Sequence, residues 1–236
     1  TGPDWVRGWA DALPFESGAF DAAFCKGAMD HFDDPDTALA EMARVVRPGK
    51  RVQLAEATLA AGGAPVARAM ALRIRRHPGL DLPDGAAGPD DRLPPPESAT
   101  PQRLVPVDYE NLGDALDTRS VQGGLTEPGP SVMWIRLRVP VVEGEPSSPL
   151  QRVVVAADCG NGISSAVELG KWLFINPDLT LYQHRDLDGE WVGMNALSRL
   201  EPHGAGLAES ALYDGAGRFG RSLQSLLVDG ADALPT

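Results

Sequence analysis

The stretch Ser147-Ser-Pro-Leu-Gln-Arg-Val-Val-Val-Ala-Ala-Asp-Cys-Gly-Asn161 limits the choice of fold more than any other part of the chain. Ser148 followed by Pro149 reads as a helix N-cap with proline at the first helical position, where its missing N–H is no loss. The apolar run 153–157 needs a core to pack against, yet it ends on a carboxylate, Asp158. An acid on a buried helix is unfavourable unless it is hydrogen-bonded or functional. Downstream, five segments have strand character, at about 171–175, 179–185, 190–199, 205–213 and 218–228. Turn signatures separate them: Asn176-Pro177, Asp188-Gly189, His203-Gly204 and Asp214-Gly-Ala-Gly217. A buried helix followed by an antiparallel sheet that can curl round it is the expected outline.

The last of these strands is informative because side chains alternate between faces. Gln224 shares a face with Leu226 and Val228, and Leu223 and Leu227 occupy the other. Both faces are partly apolar, so the Gln224 amide is expected inside, where it needs hydrogen-bond partners.

Ahead of the helix the chain changes character several times. Residues 5–47 read as α/β, with a short strand at Ala19-Phe-Asp-Ala-Ala-Phe-Cys25. A helix over 37–46 puts Ala38, Met42 and Val45 on one face, with Asp36 as N-cap and Pro48-Gly49 as stop. Runs 51–59 and 65–74 flank Ala60-Ala-Gly-Gly63, a hairpin signal, although the alanines leave helix open for the second run. From 77 to 106 Pro, Gly and Asp dominate around Pro94-Pro-Pro96, which marks a linker or a long excursion over a surface. A domain boundary belongs there. Strands at 114–121 and 131–141 follow, separated by a turn-rich loop at 123–130, and the helix breaks at Gly160 and Gly162.

Charge and cysteine content narrow the partners. A net charge of −12 disfavours nucleic acid and anionic membrane surfaces, which want clustered Lys and Arg. Cys25 and Cys159 make no disulfide framework, which suits a reducing cytoplasm. Cys159 reads as a small buried filler, since nothing basic in its local sequence favours a thiolate. No apolar window approaches membrane-spanning length and no charged-then-apolar leader is present. The chain begins at Thr1, which suggests a piece of something longer. His31, His77, His184 and His203 lack ligand-like spacing, so neither a metal nor another cofactor is expected.

Several motifs in order carry a resemblance. Trp134-Ile-Arg-Leu-Arg138, Ser148-Pro-Leu-Gln-Arg152, Ala157-Asp-Cys-Gly-Asn-Gly162, Asn176-Pro-Asp-Leu-Thr180, Gly189-Glu-Trp191 and Gly220-Arg-Ser-Leu-Gln224 resemble the second half of the double-hotdog acyl-CoA thioesterase-like proteins. Arg47-Pro-Gly-Lys-Arg-Val-Gln53 through Arg76 resembles the last two strands of that family's first hotdog. The resemblance implies hydrolysis of an acyl-CoA thioester by water held by an Asp, a Thr and a Gln. By position the Asp falls on Asp158 and the Gln on Gln224. The Thr falls on Asn176, a departure, although an amide can both donate to and accept from a water. Each position also has a structural reading: Asp158 bracing the helix break, Gln224 satisfying a backbone group, Asn176 forming a turn.

A second resemblance covers 10–49. Ala10-Asp-Ala-Leu-Pro-Phe15, Ser17-Gly-Ala-Phe-Asp21, Asp30-His-Phe-Asp-Asp-Pro35 and Ala40-Glu-Met-Ala-Arg-Val-Val-Arg-Pro-Gly49 are similar to the middle of a class I S-adenosylmethionine-dependent methyltransferase. That family's glycine-rich cofactor loop and ribose-binding acid would precede Thr1, and Trp9 stands where an acid is usual. Binding of S-adenosylmethionine is therefore not expected. Val153-Val-Val-Ala-Ala-Asp-Cys-Gly-Asn-Gly162 imitates a strand entering such a loop. Against this, Ser148-Pro149 starts a helix, and the tight turns downstream leave no room for crossover helices.

The expected fold class is α+β. A methyltransferase-like α/β segment spans 1–46, a hairpin remnant of a first hotdog 47–76, a linker 77–106 and one complete hotdog 107–229. The expected function is a cytoplasmic acyl-CoA thioesterase with Asp158, Asn176 and Gln224 around the water, acting in lipid metabolism. A non-catalytic acyl-CoA binding module and a methyltransferase fragment are the alternatives. A hotdog normally packs against another, so loss of half of one implies exposed apolar surface and self-association.

Overall fold

The computed structural model describes residues 12–17, 19, 44, 52–62, 64–74, 79–83, 86, 88–104, 111–168 and 170–230. The chain divides into two compact units, Thr1–Ala86 and Ala87–Thr236.

In the first unit, β1 (Val52–Ala61) and β2 (Ala64–Ile74) form an antiparallel hairpin. Gly62 sits at its tip with φ +59°, which a residue without Cβ adopts freely. Strand alternation groups Val66, Met70, Leu72 and Ile74 on one face of β2 and Ala67, Ala69 and Ala71 on the other. All of them are exposed. Elsewhere in this unit the Arg44 guanidinium donates to the carbonyls of Leu13 (3.0 Å) and Phe15 (2.9 Å). The strand expected at 19–25 and the helix expected at 37–46 otherwise lie outside the described residues.

The second unit is a single antiparallel sheet with a helix laid on it. Its strands are β3 (Thr100–Pro101), β4 (Leu116–Gly124), β5 (Glu127–Leu137), β6 (Trp172–Ile175), β7 (Thr180–Gln183), β8 (Trp191–Leu200), β9 (Ala205–Asp214) and β10 (Gly217–Gly230). Their spatial order is β3-β4-β5-β8-β9-β10-β6, with β7 also paired to β10. Helix α1 (Pro149–Asp158) and the short helical turn α2 (Gly160–Ile163) connect β5 to the later strands.

Helix α1 starts as its sequence dictates. Ser148 Oγ accepts from the Gln151 N–H and Gln151 Oε1 accepts from the Ser148 N–H at 2.7 Å, a reciprocal cap. Val153, Ala156 and Ala157 then fall on the sheet, at the i, i+3, i+4 spacing of one helical face. They join Met133, Ile135, Met194 and Phe219 in the core. The run 153–157 is not enclosed on every side, however: Val154, like Leu150 one turn earlier, is exposed.

One departure from the sequence reading has a physical cause. The expected loop at 123–130 is mostly strand, because Gly123 (φ +63°) and two register shifts let β4 stay paired to Gly124. A Cβ at Gly123 would lie 2.6 Å from the Pro130 carbonyl oxygen. Within the proline-rich segment, read from sequence as a linker or a surface excursion, residues 91–99 run over the outer face of the sheet, where Ala99, Trp134 and Tyr213 form a second buried cluster, and Leu104 enters the main core. Prolines offer carbonyls and no N–H, and the sheet supplies the donors. Trp134 Nε1 donates to the Pro94 carbonyl (2.8 Å) and Arg119 to that of Pro96 (3.0 Å), while Tyr213 Oη bonds Asp91 (2.9 Å).

Candidate active site

The C-terminal end of α1, the turn α2, the β6–β7 connection and the middle of β10 meet at one place. Asp158 is the last residue of α1. It is exposed, which corrects the expectation of a carboxylate enclosed by the sheet. A helix C-terminus carries partial negative charge, so a carboxylate there is unfavourable unless a donor reaches it. Asn176 is that donor: its Nδ2 lies 3.0 Å from Asp158 Oδ1.

Asn176 occupies this position because β6 cannot continue. Pro177 has no N–H for the ladder and ends the strand at Ile175. Along the edge of β10, β7 covers residues 220–223 and β6 covers 227–230, leaving a gap between them. Asp178 fills it by accepting the Ser225 N–H at 2.7 Å. The turn is thereby tied to the sheet on one side, and Asn176 extends toward the helix on the other.

Gln224 approaches from beneath. Its side chain is buried, on the same face of β10 as Ser222 and Leu226. Its Oε1 accepts from the Asn161 backbone N–H (3.0 Å) and its Nε2 donates to the Asp158 backbone carbonyl (3.1 Å). The amide therefore bridges the point where α1 ends and α2 begins, satisfying one donor and one acceptor that a helix break leaves over. Gly160 makes this possible, not by breaking the helix as its sequence suggests, but by letting the backbone come close. A Cβ there would lie 2.8 Å from Gln224 Oε1 and 2.9 Å from Ser210 Oγ.

The structure thus brings together the three residues singled out in the sequence, Asp158, Asn176 and Gln224. It adds two that sequence reasoning passed over. Asn161 donates through Nδ2 to Asn176 Oδ1 at 3.1 Å, and Asp178 anchors the turn. Asn161 sits between two glycines and reads as part of a helix stop. Asp178, in Asn-Pro-Asp, reads as turn chemistry. Neither carries a local signal of where its side chain reaches. Cys159, next to Asp158, is buried, and its Sγ lies 3.5 Å from the Val155 carbonyl oxygen. Burial, and secondarily the Asp158 charge, pushes its thiol up to about 12, so it is not a nucleophile at neutral pH.

Comparison with known proteins agrees with this architecture. The family described as acyl-CoA thioesterase C-terminal domain matches residues 89–228, more than half of the chain. The chain belongs to that family. Its hotdog sheet is shared with solved structures of low sequence identity. One is a hotdog-fold protein from Alicyclobacillus acidocaldarius, with a TM-score of 0.56, 17% identity and coverage of 81% of this chain and 71% of that one. Another is an acyl-CoA thioesterase II from Mycobacterium marinum, with a TM-score of 0.53, 14% identity and coverage of 78% and 71%. A methyltransferase domain family matches residues 1–54 of the thioesterase-family chain. Over 50 residues it is 46% identical to an O-methyltransferase of Aspergillus nomiae, covering 21% of this chain and 22% of that protein. The chain spans about a fifth of the length of the curated relatives it matches. Among the described residues no helix is long and apolar enough to cross a membrane.

Proposed function

We propose that the chain hydrolyses acyl-CoA thioesters with a water activated at Asp158. The observation that carries this reading is the Asp158 carboxylate itself. It is open to solvent, held through one oxygen by Asn176, and set on a backbone braced by Gln224. With Oδ1 engaged, Oδ2 is free to take a proton from water as that water attacks the thioester carbonyl. The carbon–oxygen bond forms, the carbon–sulfur bond then breaks, and Asp158 returns its proton to the departing thiolate. Asn176 and Gln224 each keep a second N–H for the water or the developing oxyanion. Neither metal nor cofactor enters this step, and the acyl-CoA is the partner.

General-base help is worth on the order of 10²–10⁴ in rate. Asp158→Asn is expected to keep the fold and lose hydrolysis on that scale, read by thiol release over a series of acyl-CoAs. Unchanged turnover in this variant would remove Asp158 from the reaction.

One observation favours a second reading, a non-catalytic acyl-CoA binding module. Gln224 spends one donor and one acceptor on backbone groups, a role that needs no water. Acyl-CoA binding with no release of thiol by the wild-type chain would select it. In either reading the exposed apolar face of β2 supports self-association.

A further inference from the structure

We infer that Asn161 is a positioning residue that holds the donor–acceptor polarity of the site, acting on Asp158 through Asn176. The inference deepens the proposal above and rests on its choice of Asp158 as the reacting group.

The polarity follows from groups that have no choice. A carboxylate only accepts, so Asn176 must turn its NH2 toward Asp158, which leaves Oδ1 pointing away. Nothing in the Asn176 side chain enforces this, because the terminal amide torsion is soft and roughly two-fold. A half-turn would put Oδ1 against the Asp158 oxygen. The group that meets Asn176 Oδ1 is the Asn161 NH2, at 3.1 Å. A donor at that point favours the orientation seen and opposes the flipped one.

Asn161 is suited to the task because its own backbone is fixed. Its N–H is bound by Gln224 Oε1, and a backbone N–H can only donate, so the Gln224 amide cannot reverse either. Asn161 is itself buried, at 8% exposure, so its amide is shielded from competing water. One chain of bonds results, running Asn161 to Asn176 to Asp158, with its direction fixed at the Asp158 carboxylate and reinforced by the Asn161 NH2. A purely structural tie between α2 and the β6–β7 turn would need no particular direction. Proton transfer at Asp158 does.

Asn161→Asp tests this, since it keeps size and backbone contacts but replaces the donor by an acceptor. In the full chain, kcat for acyl-CoA hydrolysis is expected to fall about tenfold with KM little changed, the upper end of what one neutral hydrogen bond is worth. Asn161→Ala should lower kcat less, and should lower it no further once Asn176→Ala is present. A structural tie would instead lower thermal stability in Asn161→Ala and Asn161→Asp while leaving kcat of the folded variants unchanged, and that result overturns the inference. The second readout is independent of turnover: the Asn176 side-chain amide resonances in a 15N–1H spectrum. Loss of their separation in Asn161→Asp supports positioning even if the wild type proves unable to hydrolyse acyl-CoA, in which case only the hydrolase reading fails. Unmoved resonances, with hydrolysis that depends on Asp158 but not on residue 161, refute it. Should Asn161→Asp fail to fold, Asn161→Ala carries both readouts.

Discussion

Asp178 Oδ1 accepts the Ser225 N–H at 2.7 Å in the gap between β7 and β6, on the edge of β10 opposite β9. A side chain here stands in for a ladder rung, and it does so two residues after Asn176. The position of the candidate site thus depends on how the sheet edge is completed.

Replacing Asp178 by Ala should cost about 1 kcal/mol, the ordinary worth of one hydrogen bond, in chemical denaturation. The larger effect is expected in hydrolysis, because the turn that carries Asn176 loses its anchor. Asp178→Asn keeps an acceptor and should restore most of both. Equal activity in all three proteins would separate the turn from the site.

Gly160→Ala should destabilise by roughly 1–3 kcal/mol, the usual range for forcing an extra carbon into a packed interior. The nearest atom, Gln224 Oε1, ends a flexible side chain, but it holds the Asn161 N–H and cannot withdraw without stranding it. Thermal unfolding measures the loss. A neutral result would show that Gln224 has another place to go.

Away from the site, Asp214 governs the acid side of the stability profile. Burial alone would push its carboxyl up, but the Arg185 guanidinium and the N–H groups of Asp188 and Ala216 outweigh that and hold it below the usual range. The folded chain therefore keeps this carboxylate ionised to lower pH than the unfolded chain does. Its contribution is present above the unfolded value of about 4 and is lost as pH falls through the lowered one. Asp214→Asn should flatten this part of the profile and lose roughly 2–3 kcal/mol at neutral pH, since it breaks a buried pair whose arginine stays about one-third exposed. Urea titrations between pH 3 and pH 7 would show both effects.

The hairpin of the first unit predicts association. Val66, Met70, Leu72 and Ile74, at least half exposed in the single chain, share one largely apolar face interrupted by Arg68. Sedimentation of the wild-type chain should show dimers or larger species, and Met70→Glu with Leu72→Glu should shift it toward monomer. A wild-type chain that sediments as a uniform monomer contradicts this.

Much of the second unit is legible residue by residue, because the information is local. Ser148-Pro149 starts a helix, two-fold alternation marks the inner face of β10, and Pro177 ends β6 through the N–H it lacks. Local chemistry also singles out Asp158 and Gln224 as polar groups in need of partners, and the family resemblance adds Asn176. Which partners they find is decided at long range. Gln224 reaches Asp158 and Asn161 across more than sixty residues, and Asn176 meets Asp158 across 18. The exposure of Asp158 is likewise set by which face of α1 the curled sheet covers. Hydrogen bonds are directional and reach only about 3 Å. Periodicity can therefore name the side chains that must be satisfied, but only the folded sheet brings a particular donor to a particular acceptor.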